Sequence, residues 1–253
     1  MPQSYFIWNG VDCRSKGINL RGPVPIVRPE ERVTHVEIPG RSGDLTEIEG
    51  EHIYNSYIQT ASISVRGGFR VREVYKWLRG AGYVTFSGEP DRKQAARIVG
   101  AVTLNRHSRN LDKWEGEVQF YCQPLKEQLR EEPITLPYNM VIRNQGDVEC
   151  RPKITATIGQ VATRALVFVT APQEFSPGDT DVPGAKLFTV DMTDNAYDSV
   201  IIDSEKEIVT DGTGQIDLTA KSSGDFPTMP VGDSFLAFTT GLTLSLERRM
   251  KYL

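Results

Sequence analysis

The stretch Ile38-Pro39-Gly40-Arg41-Ser42-Gly43-Asp44-Leu45 joins two strand-like runs through a loop of unusual composition. Pro39 has no amide hydrogen to give to a sheet, whereas Gly40 and Gly43 permit a positive φ. Arg41 adds a fixed positive charge with five donors. Such a loop lets the backbone come close to another surface while Arg41 binds a carboxylate or carbonyl there. An ordinary surface turn between two strands is the simpler interpretation.

Strand patterns continue on both sides of this loop. Asn9-Gly10 follows an alternating run that begins at Ser4, and this dipeptide predicts a tight hairpin turn. Residues 47–51 are acidic and predict a turn-like continuation of the loop. Further strands are predicted from one-sided apolar patterns at Thr34, Val36 and Ile38, and at Ala61, Ile63 and Val65.

One amphipathic helix interrupts the strands. Val71, Val74, Tyr75 and Leu78 recur at helical spacing after a break at Gly67-Gly68. Gly80 and Gly82 are expected to stop this helix. Four basic residues decorate this helix and its ends, which suits nucleic acid or an anionic surface, although a solvated face with a few intersubunit ion pairs is the simpler interpretation. These basic residues are Arg70, Arg72, Lys76 and Arg79.

The rest of the chain predicts two domains. Strand patterns at 83–86, 95–104 and 114–122 complete an α+β or mostly-β first unit, whose last strand is expected to end at Gln123-Pro124. The polar residues 125–137 predict a linker, so we place the domains at 1–130 and 131–253. Beyond the linker the pattern is nearly all β, with the spacing of a sandwich or small barrel. Its predicted strands lie at 154–158, 166–169, 187–190, 200–203, 216–218, 235–238 and 242–246.

Composition narrows the classes of function. The 253 residues carry a formal net charge of -4, which does not indicate a general nucleic-acid binder. No apolar run approaches the roughly 20 residues that a membrane helix needs. The first five residues lack the features of a secretory signal, so we expect synthesis and folding in the cytosol. Three scattered cysteines and three scattered histidines fit neither a disulfide framework nor metal-site spacing.

Catalytic motifs are not found in the sequence. It contains no GxSxG, P-loop, GxGxxG before a helix, or HExxH. The best acidic group is Asp191, Asp194, Asp198 and Asp203, which could hold Ca²⁺ or hydrolyse glycosides, although a solvated turn is the simpler interpretation. We therefore expect no enzyme, no catalytic residues, no cofactor and no bound metal.

Several short motifs occur in an order that resembles the siphophage distal tail (Dit) family. The resemblance spans nearly the whole chain, and its specificity comes from order and spacing. In the first half the motifs are Phe6-Ile7-Trp8-Asn9-Gly10-Val11-Asp12, the Ile38-to-Leu45 stretch, Val74-Tyr75-Lys76-Trp77-Leu78-Arg79-Gly80, Phe86-Ser87-Gly88-Glu89-Pro90-Asp91 and Val118-Gln119-Phe120-Tyr121-Cys122-Gln123-Pro124. In the second half they are Asn144-Gln145-Gly146, Arg151-Pro152-Lys153-Ile154, Val200-Ile201-Ile202-Asp203, Gly224-Asp225-Phe226-Pro227 and Gly232.

The resemblance implies a mostly-β protein with an α+β belt domain and a galectin-like C-terminal β-sandwich. It implies a hexamer, as one ring or two stacked rings, at the distal end of a phage tail. The ring would join the tail tube protein to tail-tip, baseplate hub and receptor-binding proteins and pass DNA through its channel. Its place would be the virion, after synthesis in the host cytoplasm, without a membrane. Pro39, Gly40, Arg41, Gly43 and Asp44 then become candidate oligomer-interface residues.

Two other functions remain open from the residues. The C-terminal sandwich could be a carbohydrate-binding module that contacts the host cell wall, although the chain has no room for an inserted sugar-binding module of the kind that some family members carry. The acidic group at Asp191 to Asp203 could serve an acid-dependent glycosidase, which we rank last.

Overall fold

The computed structural model describes residues 4–48, 50, 53–107, 112–159, 165–171, 184–192 and 197–253. The chain divides into two compact units, Met1–Leu129 with Leu253, and Arg130–Tyr252. Most described residues in regular structure lie in strands, with one α-helix, so the mostly-β prediction is confirmed. No described helix has the length and apolar character needed to span a bilayer.

Unit 1 is an antiparallel sheet with one helix. Its sheet runs in the order β2-β1-β7-β8-β9-β6-β3, and β4 pairs only with β5 in a separate two-stranded sheet. The elements are β1 (Phe6–Trp8), β2 (Val11–Asp12), β3 (Ile18–Leu20), β4 (Val33–Glu37), β5 (Asp44–Ile48), β6 (Tyr57–Arg66), α1 (Gly68–Trp77), β7 (Ala81–Phe86), β8 (Arg92–Arg106) and β9 (Lys113–Gln128), with a 3-10 turn at Cys13–Lys16.

Helix α1 covers one face of this sheet. Val71, Val74 and Leu78 are buried in the same cluster as Phe120, whose ring lies 5.3 Å from that of Phe6. The opposite face is open in the described part of the chain. It carries half-exposed large side chains at Ile58, Tyr83 and Tyr121.

The local predictions in unit 1 are partly right. Asn9 and Gly10 have φ of 49° and 78° and connect β1 to β2, which confirms the hairpin turn. The helix prediction is confirmed, but α1 ends at Trp77, before the expected stop at Gly80. Residues 44–48 were expected to form a loop and an acidic turn, and this is wrong because they form β5 opposite β4.

The predicted linker at 125–137 is also wrong in extent. Strand β9 continues to Gln128, and Ile134–Leu136 forms another strand. Pro124 is tolerated inside β9 because the β8–β9 register shifts there, from Ala96 opposite Cys122 to Gln94 opposite Lys126. Residues inside this bulge are not paired with β8, so the missing amide hydrogen of Pro124 leaves no hydrogen bond of the ladder unmade.

Unit 2 consists of two five-stranded sheets around one core. The sheets run β10-β19-β12-β15-β16 and β11-β18-β13-β14-β17. Ile154 and Leu244 from the first sheet share a buried cluster with Phe168, Phe188 and Leu236 from the second, which is the arrangement of a β-sandwich. The strands of these sheets are β10 (Ile134–Leu136), β11 (Met140–Asn144), β12 (Lys153–Ile158), β13 (Ala165–Ala171), β14 (Lys186–Asp191), β15 (Ser199–Asp203), β16 (Ile208–Asp211), β17 (Ser222–Gly224), β18 (Gly232–Phe238) and β19 (Leu242–Glu247). The short strand β20 (Lys251–Tyr252) lies outside both sheets.

One predicted strand of unit 2 is wrong. Residues 216–218 make only an isolated bridge between Asp217 and Thr210. The preceding loop is organised by Asp211, whose carboxylate accepts hydrogen bonds from the backbone amides of Gln215 and Ile216 at 2.9 and 2.8 Å.

Candidate assembly surface

The stretch from Ile38 to Leu45 forms the tip of the β4–β5 hairpin. Five residue pairs form its ladder, from Val33 opposite Ile48 to Glu37 opposite Asp44. The turn between the strands is held by a hydrogen bond from the amide of Arg41 to the carbonyl of Ile38 at 3.2 Å. The hairpin is therefore a regular element with a defined tip.

The tip needs its glycines. Gly40 and Gly43 have φ of 84° and 83°, where a side chain would strain the backbone. No atom lies within 4 Å of a Cβ built at either position, so the space beside them is open. The predicted interface residues Pro39, Gly40, Arg41, Gly43 and Asp44 are all exposed there and lie close together.

The base of the hairpin is fixed to unit 1 by backbone contacts. The amide of Arg32 donates to the carbonyl of Ile53 at 2.9 Å, and the amide of Asn55 donates to that of Glu30 at 2.7 Å. Above this base, β4 and β5 pair with no other described strand. A two-stranded hairpin is marginally stable by itself in water. A hairpin of this kind gains stability when a partner covers it.

One face of the hairpin is apolar and uncovered. Val36 lies opposite Leu45, and Ile38 follows on the same face. These three side chains are 40%, 42% and 38% exposed, respectively. The alternation of Thr34, Val36 and Ile38 predicts the β4 side of this face from sequence. The contribution of Leu45 is not predicted, because the sequence pattern indicates a loop where the structure has β5. Exposed apolar groups on an isolated hairpin are typical of a surface that meets another protein.

The opposite face of the hairpin carries two carboxylates. Glu37 and Asp44 are direct cross-strand neighbours, and neither makes an ion pair with a described residue. Arg41 at the tip likewise makes no side-chain contact with a described residue that would neutralise it. Like charges placed opposite each other destabilise a hairpin.

The acidic group in unit 2 does not converge into a site within the described part of the chain. Asp191 ends β14, Asp198 precedes β15, and Asp194 lies outside the described residues. Asp203 instead forms an ion pair with Arg249, with a shortest separation of 2.6 Å. Across those residues, no three His, Cys, Asp or Glu side chains are placed to hold a metal ion.

The cysteines also lack the features of a reactive site. Cys13, Cys122 and Cys150 are free and buried. Burial raises the pKa of Cys122 to about 12 and that of Cys150 to about 12, so both stay as neutral thiols at physiological pH.

Comparison with solved structures gives an informative likeness in fold. No protein-family model matches the sequence, and no curated protein matches it. The crystal structure of the SPP1 Dit (gp 19.1) protein, called a paradigm of the hub adsorption apparatus in phages that infect Gram-positive bacteria, aligns over 99% of both chains. That alignment has a TM-score of 0.74 at 17% identity. The chain therefore has the fold of this Dit protein along its whole length, and the resemblance drawn from sequence is confirmed at the level of fold.

A second solved structure, the phage P2 baseplate in its activated conformation with Ca, aligns over 99% of both chains with a TM-score of 0.49 and 9% identity. A likeness of that strength supports no inference about function.

Proposed function

We propose that this chain is a structural subunit of the distal hub of a long, non-contractile phage tail. The observation that carries the proposal is the end-to-end fold likeness to the SPP1 Dit protein, a protein of a hub adsorption apparatus. The role is mechanical and not enzymatic. It agrees with the finding that no three His, Cys, Asp or Glu side chains are placed to hold a metal ion among the described residues.

The proposed subunit forms a closed ring of six copies, single or stacked in pairs. Ring closure requires one patch of the subunit to meet a different patch of its neighbour. The β4–β5 hairpin supplies a candidate first patch, because its apolar face and its glycine-rich tip are uncovered. Pro39, Gly40, Arg41, Gly43 and Asp44 are proposed to lie in this intersubunit contact.

The proposed ring connects the tail tube protein to the tail-tip, baseplate hub and receptor-binding proteins. DNA passes through its channel without being read by sequence. The formal net charge of -4 agrees with transit, because a strongly basic channel would retain DNA through counterion release. The proposed location is the virion tail tip, reached after synthesis in the host cytoplasm.

The location can be tested on purified virions of the phage that encodes the chain. Immunogold electron microscopy with an antibody against the chain should label the distal end of the tail and leave the capsid unlabelled. Label along the whole tail, or none on intact and partly disassembled virions, would contradict a hub.

The alternative is that unit 2 is a galectin-like module that binds sugar. A glycan array with the whole chain tests this alternative, because a purely structural subunit predicts no saturable binding.

The contact residues can be tested by substitution at the hairpin tip. Arg41→Glu should weaken assembly of the ring, because Arg41 is exposed and is proposed to meet an acceptor on the neighbour. The matched control is Arg143→Glu, which reverses an exposed arginine of β11 in unit 2. Equal assembly of the two variants would show that Arg41 lies outside the contact.

A further inference from the structure

The carboxylate pair on the β4–β5 hairpin is unfavourable in the isolated chain. Glu37 and Asp44 close the ladder beside the tip, and opposed residues in an antiparallel pair lie about 5 Å apart. Both are exposed, and no described cation neutralises them. A positively charged surface against this face would relieve the repulsion between them.

The exposed side of α1 has an excess of charge of the opposite sign, with Glu73 as the acidic residue of this helix. Arg72 and Lys76 are one turn apart, about 6 Å along the axis, and Arg79 follows just beyond the end of the helix at Trp77. All three are exposed and make no ion pair with a described residue. Tyr75 lies among them and is 39% exposed. Like charges at this spacing destabilise a helix by themselves.

We infer that these two surfaces meet between neighbouring copies of this chain. Glu37 and Asp44 of one copy lie against Arg72 and Lys76 of the next, and the spacing of the two carboxylates matches that of the two cations. The partner is a second copy because both charge sets are carried by unit 1 on different patches, as a heterologous ring contact requires. The inference rests on the proposed ring and adds the surface that receives the hairpin.

Charge complementarity of this kind affects both the choice of partner and the rate of association. It places the acidic face of the hairpin across the outer side of α1. The contact should weaken with added salt, because exposed charge pairs are screened over about 10 Å at 0.1 M ionic strength.

The test is a charge-reversal cycle on the full chain. The first variant carries Glu37→Lys and Asp44→Lys, the second carries Arg72→Glu and Lys76→Glu, and the third carries all four changes. Ring formation is followed by sedimentation velocity over a concentration series and at two salt concentrations. Circular dichroism and thermal unfolding establish that each variant is folded. The control reverses two exposed arginines of unit 2, Arg143→Glu with Arg151→Glu.

Each double variant should raise the apparent dissociation constant of the ring by at least about tenfold, which corresponds to about 1.4 kcal/mol. The fourfold variant should return to within about threefold of the wild type, because its charges are exchanged and still complementary. Rings that survive both double variants would overturn the inference while leaving the proposed hub intact. A fourfold variant as weak as the double variants would also overturn it. A wild-type chain that forms no ring under any condition would remove the proposed assembly and this contact together.

Discussion

Replacing Arg249 with methionine tests how much the ion pair between Arg249 and Asp203 stabilises unit 2. The guanidinium of Arg249 forks onto Asp203, with nitrogen–oxygen distances of 2.6 and 3.1 Å, and also reaches Glu205 at 3.3 Å. The backbone amide of Arg249 donates to Glu131 at 2.9 Å. The substitution removes the fork and leaves the backbone contact in place.

The magnitude follows from the burial of the partner. The side chain of Asp203 is 8% exposed, and that of Arg249 is 23% exposed. Removing one member of a fully buried pair costs about 3–5 kcal/mol, because a charge is left without its partner. Here Arg249 is partly in water, and Lys206 remains 3.8 Å from Asp203. We therefore expect Arg249→Met to lower the free energy of unfolding by about 2 kcal/mol.

The assay is urea unfolding followed by far-ultraviolet circular dichroism. Tryptophan fluorescence is recorded in parallel to follow the unfolding of unit 1, because all three tryptophans lie in residues 8–114, within that unit. The control is Arg151→Met, which removes an exposed pair with Glu207 whose side chains are 51% and 62% exposed. An exposed pair contributes about 0.2–1 kcal/mol. If the two variants lost the same small amount, Arg249 would not stabilise unit 2 as argued.

The same pair predicts a pH dependence. Burial acts to raise the pKa of Asp203, but the hydrogen bonds and charge of Arg249 outweigh it and hold the pKa below its ordinary value. A carboxyl whose pKa is depressed on folding contributes stability at neutral pH and loses it as the pH falls through the folded pKa. The difference between the wild type and Arg249→Met should therefore narrow below about pH 4. A difference that stays constant to pH 2 would contradict an ionic origin.

Three further predictions concern local structure. Gly10→Ala should lower the free energy of unfolding by about 1 kcal/mol in the same denaturation assay, because Gly10 has a φ of 78°. The control Gly22→Ala should be near neutral, because Gly22 lies at an open site without a positive φ. Asp211→Ala should speed hydrogen exchange at the amides of Gln215 and Ile216, which lose their acceptor, and no change at these amides would contradict the loop assignment. The three cysteines should resist a disulfide reagent at pH 8 in the native chain and should all react in denaturant. They are buried, and burial raises their pKa. Fast labelling of the native chain would contradict this burial.

Local patterns account for what could be predicted. The Asn9-Gly10 turn and helix α1 depend on residues close in sequence, so their types and approximate positions could be predicted. Strand β5 was missed because its acidic and polar residues lack an apolar repeat, and only its pairing with β4 makes it a strand. Pro124 predicts a strand end from the sequence alone, because the bulge that accommodates it depends on the register with β8.

The candidate interface shows the same limit. Its glycine-rich tip could be found from Gly40, Arg41 and Gly43, because turn chemistry is local. That Glu37 lies opposite Asp44 could not be predicted, because this pairing depends on the β4–β5 register. The Asp203–Arg249 pair joins residues 46 positions apart and left no sequence signal beyond two ordinary charged residues.

The chain is proposed to assemble into a ring. The most direct measurement is multi-angle light scattering after size exclusion, over a range of concentrations, with negative-stain images of the same fractions. The account predicts a species of about 170 kDa, six copies of the 28.3 kDa chain, or twice that mass for two stacked rings, with six-fold symmetry and an open centre. A chain that remains monomeric at every concentration, both alone and with the tail tube protein of the same phage, would contradict it.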